Sequence, residues 1–158
     1  MKPNAIRELS SKIATERAKN DEIFIVCNDQ ETLSKFAPVL EKTQTSVKIL
    51  SDFGEFMKRA IEFSVKLVIV DLDIKNKLNQ SIVPTIRSLK PDAEVMVLAS
   101  EIPFETGREL AMNRVSLTLT KPIQTSQLMT YFDHFRRRSK RLQQRTKNRG
   151  SVSSARSP

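Results

Sequence analysis

Five short apolar runs, each followed by an amphipathic stretch, constrain the fold of this chain more than any other feature. Ile23-Phe24-Ile25-Val26, Val47-Lys48-Ile49-Leu50, Leu67-Val68-Ile69-Val70 and Val95-Met96-Val97-Leu98 are rich in β-branched residues and have strand length. A fifth run, residues 115–119, is weakened by Ser116 and Thr118. Between them apolar residues recur at helical spacing: Leu33, Phe36, Ala37 and Leu40; Phe56, Met57, Ala60 and Ile61; Ile82, Thr85, Ile86 and Leu89. Residues 104–112 make a fourth helix, and Leu128, Tyr131, Phe132 and Phe135 give the apolar face of a fifth. Pro38 calls for a first turn or a kink, and Pro84 falls in the first turns of its helix. Strands that are continuously apolar suit a sheet buried on both faces. Five βα units with right-handed crossovers therefore predict an α/β fold. Its core is a five-stranded, doubly wound parallel sheet of flavodoxin-like strand order 2-1-3-4-5.

Three segments follow. Residues 1–20 read as a helical extension, with Ile6, Leu9 and Ile13 on a narrow apolar stripe that must dock or fray. Residues 21–135 are the α/β domain. Residues 136–158 are a basic tail, expected to continue the last helix briefly and then to be largely disordered around Gly150 to Ser154. The charge is concentrated there. Nine of the 27 Lys and Arg lie between Arg136 and Pro158 with no Asp or Glu, leaving 18 basic against 18 acidic residues before it. The formal net charge of +9 thus describes the tail.

Other features narrow the class. A lone cysteine, Cys27, excludes an internal disulfide. No apolar run approaches the roughly 20 residues of a membrane span. Charges through the first 20 residues leave no apolar stretch for a secretory signal, so the sequence predicts a cytoplasmic protein. His134 has no second ligand candidate and is assigned no chemistry.

Ligands of open α/β sheets bind at the carboxyl ends of the strands. Those ends carry Cys27, Asn28 and Asp29; Asp71 and Asp73; Ala99, Ser100 and Glu101; and Thr120, Lys121 and Pro122. Asp71 and Lys121 are thereby placed at one rim, able to pair with each other.

Over residues 21–135 the chain resembles the response-regulator receiver domain of two-component signalling. Leu67-Val68-Ile69-Val70-Asp71 is similar to the strand ending in the phosphoacceptor, and Thr120-Lys121-Pro122 to the lysine–proline signature, whose peptide bond is usually cis. The resemblance implies Asp71 as phosphoacceptor candidate, with Lys121 and the Ala99–Ser100 step around the phosphate. It also implies a Mg²⁺ site at Asp71 and Asp73. The departures are equally definite. Cys27 and Asn28 stand where the family has an acidic pair, Ala99 where it has a switch hydroxyl, and Thr118 where it has a switch aromatic. A thiol is a poor ligand for Mg²⁺ and Asn28 adds no charge, so Mg²⁺ binding is expected to be weak at most, with no other cofactor. Asp29 lies one residue past the pair and would reach the site only by a register shift.

Two readings of Asp71 compete: a phosphoacceptor compensated by Lys121 and metal, or an ion pair with Lys121 that fixes the rim. The missing acidic pair favours the second. The sequence then predicts a degenerate, non-enzymatic pseudo-receiver acting by protein–protein contact. The resemblance places that contact on the fourth helix, fifth strand and fifth helix, a surface that also serves homodimers in the family. The alternatives are an active single-domain response regulator phosphorylated on Asp71 in a phosphorelay, and a nucleic-acid-associated protein. In the tail, Arg136, Arg137, Arg138, Lys140, Arg141, Arg145, Lys147 and Arg149 suit an acidic protein, a phosphate backbone or anionic lipid. With no aromatic residue after Phe135, base stacking is not indicated. The charge pattern favours an acidic protein.

Overall fold

The computed structural model describes residues 22–43, 45–74 and 82–153, with side chains as far as residue 150. The predicted extension at 1–20 lies outside them, as do residues 75–81 and 154–158. Five strands, β1 (Glu22–Val26), β2 (Ser46–Leu50), β3 (Val65–Asp71), β4 (Glu94–Ala99) and β5 (Leu117–Thr120), form one parallel sheet in the order β2-β1-β3-β4-β5. Helices α1 (Gln30–Leu40), α2 (Phe53–Glu62), α3 (Ile82–Leu89), α4 (Phe104–Met112) and α5 (Thr125–Ser153) alternate with them. This is the fold the five apolar runs predict. The chain divides after Ile123 into two compact units, the sheet unit and a helical one beginning at Gln124.

The strand pattern explains the core. Phe24, Val26, Val68, Val70, Val95 and Val97 join Phe53, Phe56 and Ala60 of α2, Ile82, Val83 and Ile86 of α3, and Leu110 of α4 in one buried cluster. The alternate residues Ile23, Ile25, Leu67, Ile69, Met96 and Leu98 are buried as completely. The strand residues of both sets are at most 1% exposed, so both faces of these strands call for apolar side chains and no alternation appears.

The structure differs from expectation in four places. In α1 the buried positions are Thr32, Phe36 and Val39, while Ala37 is exposed. The helix is rotated because its N-cap, Asp29, turns toward the strand ends and draws Thr32 inward, the Thr32 hydroxyl donating to Asp29 Oδ2 at 2.5 Å. In α2, Phe53 rather than Met57 and Ile61 completes the buried face. There Asp52 caps the helix by accepting from Glu55 N at 2.8 Å, and Glu55 reaches back to Ser51 N at 3.3 Å. Val115 belongs to the turn after α4 rather than to β5. Arg114 is left-handed (φ 55°) and Val115 N donates to Leu110 O at 3.2 Å. Lastly, a boundary after Phe135 does not exist as a structural break: α5 continues through the basic residues to Ser153. Arg, Lys, Gln and Leu are strong helix formers, and their propensity carries the helix through the basic residues and into the stretch 150–153 that reads as flexible.

Arg87 closes the far end of the sheet unit. From α3 its guanidinium donates to the carbonyls of Asn113 (2.8 Å), Ala93 (2.5 Å) and Arg114 (2.7 Å), satisfying backbone acceptors around the turn that enters β5.

Candidate functional site

The carboxyl ends of β1, β3, β4 and β5 open onto a cleft of about 520 Å³ lined by Asn28, Asp29, Thr32, Asp71, Asp73, Ser100, Lys121 and others. Parallel strands deliver these residues because each apolar run ends at the same level. Val26 pairs with Val70, Asp71 with Leu98, and Ala99 with Thr120.

Asp71 is the buried centre, only 1% exposed. Its Oδ2 accepts from Lys121 Nζ at 2.7 Å and from the Cys27 thiol at 3.4 Å, while Oδ1 accepts from Asp73 N at 2.9 Å. Both carboxylate oxygens are engaged. Lys121 is engaged as fully: its ammonium lies 2.7 Å from Asp71, 3.1 Å from Asp73 and 3.5 Å from Asp29. An ammonium has three protons to donate, and three carboxylates surround this one. Burial alone would lower the Lys121 pKa, but the hydrogen bonds and charges of Asp71 and Asp73 outweigh it and hold the group well above its ordinary value.

Asp73 is tied as tightly. Its carboxylate accepts from Ser100 N (3.1 Å) and from the Ser100 hydroxyl (2.6 Å), joining the ends of β3 and β4. Burial opposes ionisation there, yet these bonds and Lys121 keep its pKa below the usual range. Ser100 therefore serves Asp73. Asp29 is likewise held low, chiefly by the Thr32 hydroxyl, while partial burial works the other way and Lys121 adds to the lowering.

Asp71, Lys121, Ser100, Asp73 and Asn28 thus meet at one cleft, as the strand ends predict, with Ala99 buried beside them. Asp29 was expected to miss the site and does not. The signal was available: an Asp immediately before a helical pattern is an N-cap, and a helix that starts at a strand's carboxyl end puts its cap in the cleft. The Lys121–Pro122 peptide is cis, as the resemblance implies.

The donor set does not suit Mg²⁺. A hard cation needs several oxygens at near-octahedral positions. Here a thiol lies against Asp71, and the nearby carboxylates already share an ammonium. Burial pushes the Cys27 thiol up to about 11, with the neighbouring Asp71 carboxylate adding to the shift, so at neutral pH it remains a protonated donor. We expect iodoacetamide at pH 8 to leave the folded protein almost unmodified over an hour and to alkylate it fully in 6 M guanidinium. Intact mass reads both, and rapid single labelling of the folded protein would show that Cys27 is not held in this way.

No known family model matches the chain, and no curated protein matches it by sequence. Solved structures do. A response regulator receiver domain protein from Methanospirillum hungatei superposes with a TM-score of 0.64 at 17% identity, covering 72% of this chain and 91% of that one. A response regulator from Thermotoga maritima gives 0.63 at 18%, covering 73% and 96%. A Burkholderia pseudomallei response regulator, solved with a phosphorylated aspartic acid and a calcium ion, gives 0.59 at 20%, covering 69% and 64%. The strand order, the helices between the strands and these superpositions agree: this chain has the fold of the response-regulator receiver domains.

Proposed function

We propose that this protein is a pseudo-receiver, a non-enzymatic cytoplasmic signalling protein that acts by binding a protein partner and whose conformation phosphate does not set. The observation that carries the reading is the closed polar network. Both oxygens of Asp71 and all the donor capacity of Lys121 are taken up by neighbours within the cleft. A phosphoryl group would have to displace Cys27 or Asp73 from Asp71 and a carboxylate from Lys121, without a suitable metal site to compensate its charge. Ala99 offers a methyl group where a switch hydroxyl would meet the phosphate.

The partner face we favour includes α4. Phe104 is 82% exposed and Met112 75% exposed, and at about 100° per residue they fall on one side of the helix. Apolar side chains grouped at an exposed helix edge suit a protein surface. The second reading, an active phosphoacceptor, draws on the Asp71–Lys121 contact at 2.7 Å. Adding beryllofluoride, a phosphoryl mimic, with Mg²⁺ to ¹⁵N-labelled protein separates the two. The pseudo-receiver is expected to show unchanged amide resonances at Ala99, Ser100 and Lys121. A second set of resonances at these positions would favour the active receiver.

A further inference from the structure

Because residues 136–149 are helical, the cations of α5 have fixed directions. At about 3.6 residues per turn, Arg136, Lys140 and Lys147 fall in one row within about 40°. Arg138, Arg145 and Arg149 fall in another, about 180° round the helix from the first. On the arc between the rows lie Arg137, Arg141, Gln144 and Asn148, spaced i, i+4, i+7 and i+11. The opposite arc, with Ser139, Leu142 and Thr146, carries no charge. Every residue from 140 to 150 is exposed. At the start of the rows Arg136 pairs with Asp133, and Arg138 lies 5.9 Å over the Tyr131 ring.

A flat anionic surface, whether lipid or the face of an acidic protein, meets one side of a helix and leaves a diametrically opposed row in water. Two opposed rows fit a partner with two anionic walls about a helix diameter apart. The major groove of B-DNA is such a partner: about 12 Å wide, walled by phosphates on both sides, floored by base edges, and matched to a helix of about 10–12 Å. Arg, Gln and Asn, the residues between the rows, are the side chains that bond guanine and adenine edges there. The major groove of A-form RNA is too deep and narrow to admit them.

We propose that the Arg136–Arg149 stretch of α5 seats in the major groove of duplex DNA, its two cationic rows on the phosphate walls and Gln144 and Asn148 toward the base edges. This surface is additional to the protein contact proposed above and independent of the cleft.

The full chain is tested by anisotropy with a labelled duplex of about 20 base pairs across a salt series. With six row cations engaged, log K is expected to fall with log salt at a slope of about −5. Replacing all six by Gln, which keeps helix propensity, is expected to weaken binding at least 100-fold, with helical content by circular dichroism unchanged. Neutralising only Arg136, Lys140 and Lys147 is expected to bring the slope to about −3. Should the six-fold variant lose its helix, this three-fold variant carries the test. Selection from a random duplex pool is expected to give a preference that Gln144→Ala with Asn148→Ala changes without altering the slope, Arg137 and Arg141 being left to bond guanine. Equal affinity for double-stranded RNA, displacement by polyglutamate as effective as by DNA, or an unchanged slope in the single-row variant would overturn the proposal. A sequence preference left unchanged by the Gln144/Asn148 substitution would overturn the orientation.

Discussion

Lys121→Met is expected to destabilise the protein by about 3–5 kcal/mol, the cost of stripping one partner from a buried ion pair. Methionine keeps most of the aliphatic volume and deletes the charge. Among the described residues, Asp71, 1% exposed, would then retain only the Asp73 amide and the Cys27 thiol as donors, with Asp29 and Asp73 nearby as like charges. Adding Asp71→Asn should recover much of the loss, because it removes the uncompensated charge that Lys121→Met creates. The pH dependence has a definite sign. Asp29 and Asp73 are held below their ordinary values, so each adds stability above about pH 4 that is lost as pH falls through and below it. Lys121 supplies part of that lowering; Thr32 and the Glu31 amide at Asp29, and Ser100 at Asp73, supply the rest. The variant should therefore lose stability less steeply on acidification than the parent, though not flatly. Urea melts from pH 3 to 7 measure both effects. A loss below 1 kcal/mol at pH 7 would mean that the ammonium is not the hub of the cleft.

Cys27→Asp with Asn28→Asp is expected to do the opposite at the same place: lower stability without metal and create a metal response. Two further carboxylates would join Asp29, Asp71 and Asp73 around a single ammonium, and like charges at that distance repel until a cation neutralises them. Oxygen ligands would also replace the thiol now lying 3.4 Å from Asp71. If the substituted site binds Mg²⁺ at about 0.1 mM, 10 mM MgCl₂ should stabilise it by about 2.7 kcal/mol. The parent protein should show almost no such shift. Thermal melts with EDTA or MgCl₂ give the comparison, and an equal Mg²⁺ shift in the parent would show that Asn28 and the existing carboxylates already suffice.

The legible part of this protein was whatever the main chain and apolar pattern dictate. Runs such as Leu67 to Val70 and Val95 to Val97 read directly as doubly buried strands. Since ligands collect where such strands end, the sequence alone pairs Asp71 with Lys121. The side chains around that pair were less legible, because their partners come from loops that sequence spacing does not align. Ser100 follows β4 by one residue and looked free to meet a phosphate; the turn after β3 carries Asp73 to it instead. Strand spacing puts Asp29 one residue past the site, but its position is set by the helix it caps. In the tail, the stretch 150–154 reads as flexible, yet the helix runs on to Ser153. Fourteen residues dominated by Arg, Lys and Gln keep a helix going once Leu128 to Phe135 have started it. That continuity changes what the segment can recognise, since cations on a helix have fixed directions and cations on a disordered chain do not.

A cleft chemically satisfied without phosphate should not take up a phosphoryl group. Incubation of the protein with acetyl phosphate and Mg²⁺, alongside an ordinary receiver domain under the same conditions, followed by intact mass, decides this. The control is expected to gain one phosphoryl group while this protein's mass stays unchanged. A stoichiometric gain of one phosphoryl group here, abolished by Asp71→Asn, would contradict it and establish Asp71 as a working phosphoacceptor.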